Sequence, residues 1–138
     1  MPKEIEHKFL IDPARLPRPL KAGKRIEQGY LSVGPVVRVR LVAERGRRRG
    51  FLTIKGSGLR VRDEFEYEIP AAHARQLLKL CGSRVLSKIR RELGRWEVDE
   101  FLGRHKGLWL AELEMKSARE KLPKLPGWVR QEVTGERQ

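Results

Sequence analysis

One cysteine, Cys81, is all the chain has in 138 residues. A single thiol excludes an intrachain disulfide and a cysteine-built zinc site. It follows Leu77, Leu78 and Leu80, which marks it as a core thiol rather than a nucleophile. Long apolar runs are also missing. No stretch approaches the ~18 residues of a membrane-spanning helix, and no signal peptide opens the chain. A soluble cytoplasmic protein without a membrane partner is the default expectation. Acidic residues are in deficit, 18 against 31 Lys and Arg, for a net charge of +13. That excess calls for a polyanionic partner such as a phosphate compound, nucleic acid or an acidic surface. Part of it, as in Arg45-Gly46-Arg47-Arg48-Arg49-Gly50, reads as solubilising surface. There are no repeats and no low-complexity linker, so residues 1–138 are expected to form a single domain.

What the chain has in abundance is charge in alternation. Charged residues make up 36%, against a typical ~25%. In the first strand, Lys3 to Ile11, period-2 geometry puts Glu4, Glu6 and Lys8 on one face and Ile5, His7 and Phe9 on the other. Glu4 and Glu6 then lie roughly 6.6 Å apart along the strand, at ~3.3 Å per residue. Two carboxylates at that spacing can converge on a cation, and Lys8 can hold an anion beside it. The competing reading is an ordinary solvated strand face.

Further strands follow. Arg25 to Val33 carries Ile26, Gln28, Tyr30 and Ser32 on one face. Val36 to Glu44 sets Arg38 and Arg40 against Val37, Val39 and Leu41. Arg45 to Gly50 reads as a hairpin loop, and Phe51 to Gly56 as a short strand bearing Thr53 and Lys55. Arg60 to Ile69 alternates most clearly, with Arg62, Glu64, Glu66 and Glu68 opposite Val61, Phe65, Tyr67 and Ile69. Ala71 to Cys81 has the spacing of a helix, stopped at Gly82. Val85 to Leu93 carries Lys88 and Arg90, Arg95 to Phe101 carries Glu97 and Asp99, and Leu108 to Lys116 carries Glu112 and Glu114. Ser117 to Lys121 is expected to start a short helix, residues 122–128 a loop, and residues 129–138 a basic tail.

About eight strands at short intervals predict a mainly β, α+β fold: an eight-stranded antiparallel barrel with a few flanking helices. Collected on one face, the acids are Glu4, Glu6, Glu64, Glu66, Asp99, Glu112 and Glu114. The bases are Lys8, Arg38, Arg40, Lys55, Arg62, Lys88 and Arg90. A wet sheet face could show such a set, but here like charges cluster by strand. Such clusters suit a charged lumen that holds a highly charged anion bridged to the acids by metal, since buried charges must be paired or ligated.

At Glu4-Ile5-Glu6-His7-Lys8 the sequence resembles the ExExK signature of the CYTH domain, the triphosphate tunnel metalloenzymes. The resemblance continues in order through Gln28-Gly29-Tyr30-Leu31, Arg38-Val39-Arg40, Leu52-Thr53-Ile54-Lys55-Gly56, Arg62-Asp63-Glu64-Phe65-Glu66, Lys88-Ile89-Arg90, Glu97-Val98-Asp99 and Ala111-Glu112-Leu113-Glu114. It implies an eight-stranded tunnel that hydrolyses a triphosphate with Mg²⁺ or Mn²⁺, above all inorganic triphosphate. It further implies that Glu4, Glu6, Glu112 and Glu114 hold the metal, with Asp99 a lesser ligand. Lys8, Arg38, Arg40, Lys55, Lys88 and Arg90 match phosphate-binding positions. Arg62, Glu64 and Glu66 match positions that orient these groups or a second metal, so Glu4, Glu6, Lys8, Glu64 and Glu66 are the catalytic set.

There are departures. His7 stands where Arg is common and points out of the tunnel by parity. Arg91 replaces an aromatic. The resemblance fades after Glu132-Val133-Thr134-Gly135, so one tunnel end is expected to be open, with Glu132 near its mouth. Alternatives within the family are a nucleoside or thiamine triphosphatase and a class IV adenylyl cyclase. From another class comes a noncatalytic binder of polyphosphate or RNA, which leaves the paired glutamates unexplained. A monomer and a homodimer are both compatible with the sequence.

Overall fold

The computed structural model describes residues 3–57 and 61–134; the side chains of Lys3, Glu4 and Val61 also lie outside the described set. The strands are β1 (Lys3–Ile11), β2 (Lys24–Val33), β3 (Val36–Glu44), β4 (Arg47–Lys55), β5 (Val61–Ile69), β6 (Leu86–Leu93), β7 (Trp96–Phe101), β8 (Trp109–Glu114) and β9 (Val129–Glu132). One α-helix, α1 (Ala71–Leu80), and three 3-10 turns complete the regular structure. All pairings are antiparallel, in the order β5-β4-β3-β2-β6-β7-β8-β1-β9. β1 also pairs with β5 over three residues, Lys3 with Asp63, Glu4 with Arg62 and Ile5 with Val61. The first eight strands therefore return on themselves as a tunnel-like barrel with a short seam.

Period-2 alternation then separates two environments. On the outer face of β1, β7 and β8, Phe9, Trp96, Val98, Ala111 and Leu113 form a core with Leu16, Met115, Trp128 and Val129. Phe9, Trp96 and Trp128 meet edge to face, with centroids 5.5 and 5.2 Å apart. Trp96 and Trp128 are thus core residues, not stacking platforms. On the outer face of β3, Val39 and Leu41 pack under Ala74, Leu78 and Cys81. Two glycines let α1 sit this close. A Cβ on Gly50 would meet Ala74 Cβ at 2.7 Å, and one on Gly29 would meet Cys81 Sγ at 2.8 Å. Cys81 is buried, and burial raises its thiol pKa.

The structure corrects three sequence expectations. β4 begins at Arg47, and the β3–β4 connection is only Arg45-Gly46. Both residues have positive φ, 52° and 78°, as a two-residue type I′ hairpin requires. The arginine run is therefore strand, not loop. Ser117–Lys121 forms no helix. Glu120 is held by Arg95 at 2.8 Å and accepts from Lys116 N at 2.6 Å, and Pro123 disfavours helical backbone at Leu122. The expected tail contributes a ninth strand, because β9 adds to β1 through Phe9–Glu132 and Ile11–Val129. Glu132 accordingly lies outside the barrel, its Oε2 2.6 Å from His7 Nδ1. His7 is buried there, as its parity requires.

Candidate active site in the lumen

The barrel-like sheet lines a cavity of about 840 Å³. Twelve of the expected site residues line it: Glu6 and Lys8 from β1, Arg38 and Arg40 from β3, Lys55 from β4, Arg62, Glu64 and Glu66 from β5, Lys88 and Arg90 from β6, and Glu112 and Glu114 from β8. The Glu4 side chain lies outside the described residues. Asp99 is buried, with both oxygens engaged. Arg90 donates to it from Nε at 2.7 Å and from Nη2 at 2.8 Å, and Lys88 Nζ is 2.7 Å away. Burial pushes the Asp99 carboxyl up, but Arg90 and Lys88 outweigh that and hold it below the ordinary carboxylate range. Asp99 shares the inward face of β7 with Glu97, but in this geometry it is covered by the two bases it anchors.

Most of the bases lean on carboxylates. Lys8 and Arg62 flank Glu6 at 3.8 and 3.6 Å, and Lys55 is 3.7 Å from Glu64. Arg90 also approaches Glu97 at 3.3 Å and Glu112 at 3.8 Å. Burial, followed by Arg90 and Arg40, pulls Lys88 down to about 8 despite Asp99. Arg38 and Arg40 differ. Arg40 Nε donates to the Gln28 amide oxygen at 2.6 Å, and Arg38 Nη2 lies 3.5 Å from Thr53 Oγ1. Burial, Arg38 and Arg90 together lower the Arg40 guanidinium to about 10.

The acids gather on the far wall. Glu6 stands opposite Glu114 across β1–β8, and Glu97 opposite Glu112 across β7–β8. Like charges at directly opposed positions are destabilising, so the arrangement favours a cation between the strands. Burial would raise the Glu112 carboxyl, yet Arg90, Lys88, Lys8 and a hydrogen bond with Glu6 bring it down to about 2. Among the described residues no group of three or more His, Cys, Asp or Glu side chains is close enough to hold an ion. The set as described supplies two facing carboxyls, Glu6 and Glu114, with Glu112 two residues from Glu114 on the same face of β8.

Several lining residues escaped the sequence reading. Gln28 was placed on the correct face, but a neutral amide gave no reason to single it out. Arg47 and Arg49 line the cavity near the β3–β4 turn, and Arg49 is paired bidentately with Glu68 at 3.1 and 2.7 Å. Ile26, Tyr30, Phe51 and Leu86 add apolar wall. No stretch of the described chain forms a helix long and apolar enough to cross a membrane.

No protein-family model matches the chain. An inorganic triphosphatase from Acetivibrio thermocellus is 38% identical over 99% of this chain and 88% of the relative. The crystal structure of the inorganic triphosphatase NE1496 superposes with a TM-score of 0.60 at 27% identity, over 97% of this chain and 88% of that one. The PH1819 protein of Pyrococcus horikoshii OT3 shares the fold, with a TM-score of 0.55 at 18% identity over 84% of this chain and 80% of that one. With a relative 38% identical over 99% of this chain's length, the chain belongs to the triphosphate tunnel metalloenzyme family of CYTH domains.

Proposed function

We propose that the chain hydrolyses inorganic triphosphate to pyrophosphate and phosphate in this lumen. The observation that carries the reading is the placement of Arg38 and Arg40. Both lie on β3 and bond neutral partners, Thr53 of β4 and Gln28 of β2, and β3 lies four strands from the acidic β8 in either direction around the barrel. A linear polyanion laid across the lumen meets arginine forks at one wall, which grip phosphate oxygens in a plane. At the other wall it meets carboxylates that repel it unless a cation intervenes.

The residues there fit Mg²⁺ or Mn²⁺, which favour a few carboxylates together with water and phosphate oxygens. Glu6, Glu112 and Glu114 would hold the ion, with Glu4 as the further ligand the family pattern supplies. Bound there, the ion supplies charge neutralisation and lowers the pKa of water. The chain's own groups do the rest. Lys8, Lys55 and Arg62 position the middle of the anion, and Lys88 and Arg90 neutralise charge on the leaving pyrophosphate. Glu64 and Glu66 orient the attacking water. The water oxygen bonds to the terminal phosphorus as the bridging P–O bond breaks. Phosphoryl transfer of this kind rests on positioning and electrostatics more than on covalent catalysis.

The direct test is phosphate release from inorganic triphosphate, ATP and thiamine triphosphate, with Mg²⁺, with Mn²⁺ and with chelator. Metal-dependent release that favours inorganic triphosphate is expected. Chelator-insensitive binding without release would instead make the lumen a polyanion holder.

A pH effect follows from Lys88. A free lysine titrates near ~10.4, and this one is lowered to about 8. Between those values the unfolded chain carries the extra proton, so this group's contribution to stability rises with pH. Its contribution to anion binding falls over the same interval. The KM for triphosphate should climb above about pH 8 without a matching loss of Tm, and Lys88→Arg should remove the climb. A flat wild-type profile would show that Lys88 does not bind the anion.

A further inference from the structure

The lumen sorts its bases by the kind of partner that holds them. Arg90 shows one solution, with Asp99 fixing its plane through two hydrogen bonds and cancelling its charge. Arg40 shows the other. Gln28 lies directly across from it on β2, is 5% exposed, and accepts from Arg40 Nε at 2.6 Å. The amide must present its oxygen here, because a guanidinium offers only donors. One short hydrogen bond thereby orients the guanidinium while bringing no opposite charge against it. The next cross-strand step repeats the device. Arg38 is held by the Thr53 hydroxyl, and its Nε is buried with no hydrogen-bond partner. Two adjacent guanidiniums thus share one wall; burial first, and then the Arg38 charge, lower the Arg40 pKa. A fold that only needed these arginines packed would do better with an acid at position 28.

We propose that Gln28 is a positioning and specificity residue: its neutral amide aims Arg40 into the lumen and keeps the Arg38–Arg40 pair uncompensated, as a seat for a doubly charged terminal phosphate. The inference rests on the triphosphatase reading and adds to it a residue whose neutrality, not merely its shape, sets anion affinity. Thr53 plays the same part for Arg38 with a single, longer contact.

The test compares wild type with Gln28→Glu and Gln28→Met. Equilibrium binding of inorganic triphosphate, unfolding of the free protein, and KM against kcat are measured for each. Gln28→Glu retains an acceptor for Arg40 Nε but adds the cancelling charge. It should bind triphosphate at least about tenfold more weakly, because a misplaced like charge opposes the ligand, while Tm holds or rises through the new ion pair. Gln28→Met loses the acceptor without adding charge and should show a smaller rise in KM, of about threefold, with kcat little changed. A structural role would instead move Tm and affinity down together, and that pattern overturns the inference, as does wild-type affinity in Gln28→Glu. Should Gln28→Glu not fold, Gln28→Met decides. A raised KM at near-constant Tm supports the seat, and an unchanged KM sinks it. Failure of the wild type to bind triphosphate at all would remove the functional reading itself, and the seat with it.

Discussion

Glu6→Gln should cut metal-dependent phosphate release by at least about a thousandfold while the barrel stays folded. Glu6 is buried and faces Glu114 across the β1–β8 ladder. Its carboxyl therefore sits where acids already crowd, and a neutral amide of the same shape relieves that crowding. Among the ion pairs the variant weakens are those to Lys8 at 3.8 Å and Arg62 at 3.6 Å. The amide keeps the shape and can still accept from Lys8 and Arg62, and it relieves the repulsion from Glu114, so the fold should be retained, as circular dichroism and Tm will check. The loss in turnover is large because a single group acting on the developing charge of a transition state contributes ~10²–10³, and here the cation seat goes with it. Affinity for triphosphate, measured by calorimetry, should respond in opposite directions. With Mg²⁺ present it falls, since the bridge is weakened; with chelator it rises, since one repelling carboxylate is gone. A noncatalytic polyanion holder would show only the rise. Undiminished turnover would take Glu6 out of the metal site.

Those charges were readable because alternation is loudest where a charged residue follows an aliphatic one. Arg38-Val39-Arg40 and Glu112-Leu113-Glu114 declare both the strand and its faces, and the structure places their charged members in the lumen and Val39 and Leu113 in the two cores. The same logic failed where the outward positions are not apolar. At Arg47 to Gly50 the outward residues are Arg48 and Gly50, and Gly50 is small because Ala74 of α1 presses on it. The strand therefore lacked its signature for a tertiary reason. β9 was hidden because only Val129 of its four residues is buried; its pairing with β1 is long-range and written in no local pattern. Gln28 was silent for a third reason. Its significance lies in what Arg40 lacks, and only the folded arrangement shows that Arg40 is held by an amide while Lys88 and Arg90 are held by Asp99.

Asp99 separates a structural account from the family's expectation most sharply. Asp99→Asn should destabilise the free protein by about 3–5 kcal/mol, the usual cost of stranding a buried charge by removing its partner. Lys88, 4% exposed, loses the carboxylate at 2.7 Å, Arg90, 6% exposed, loses its closest one and keeps Glu97 at 3.3 Å and Glu112 at 3.8 Å, and Arg40 already bears on Lys88. The sign of the pH dependence follows from the depressed folded-state pKa of Asp99. A carboxylate of this kind contributes its full stability above the unfolded pKa of ~3.9 and loses it as pH falls through the lower folded value. The gap between wild type and Asp99→Asn should therefore be widest at neutral pH and close below about pH 4, as urea titrations at several pH values will show. Anions should rescue the variant, since a phosphate in the lumen replaces part of the missing charge and any ligand bound only by the folded state stabilises it. Triphosphate should then raise the Tm of Asp99→Asn more than that of wild type. A metal-ligand role makes the contrary forecast: turnover lost, and the stability of the metal-free protein unchanged or improved by one acid fewer. A stability loss below about 1 kcal/mol at pH 7 would favour that role over the anchor seen here.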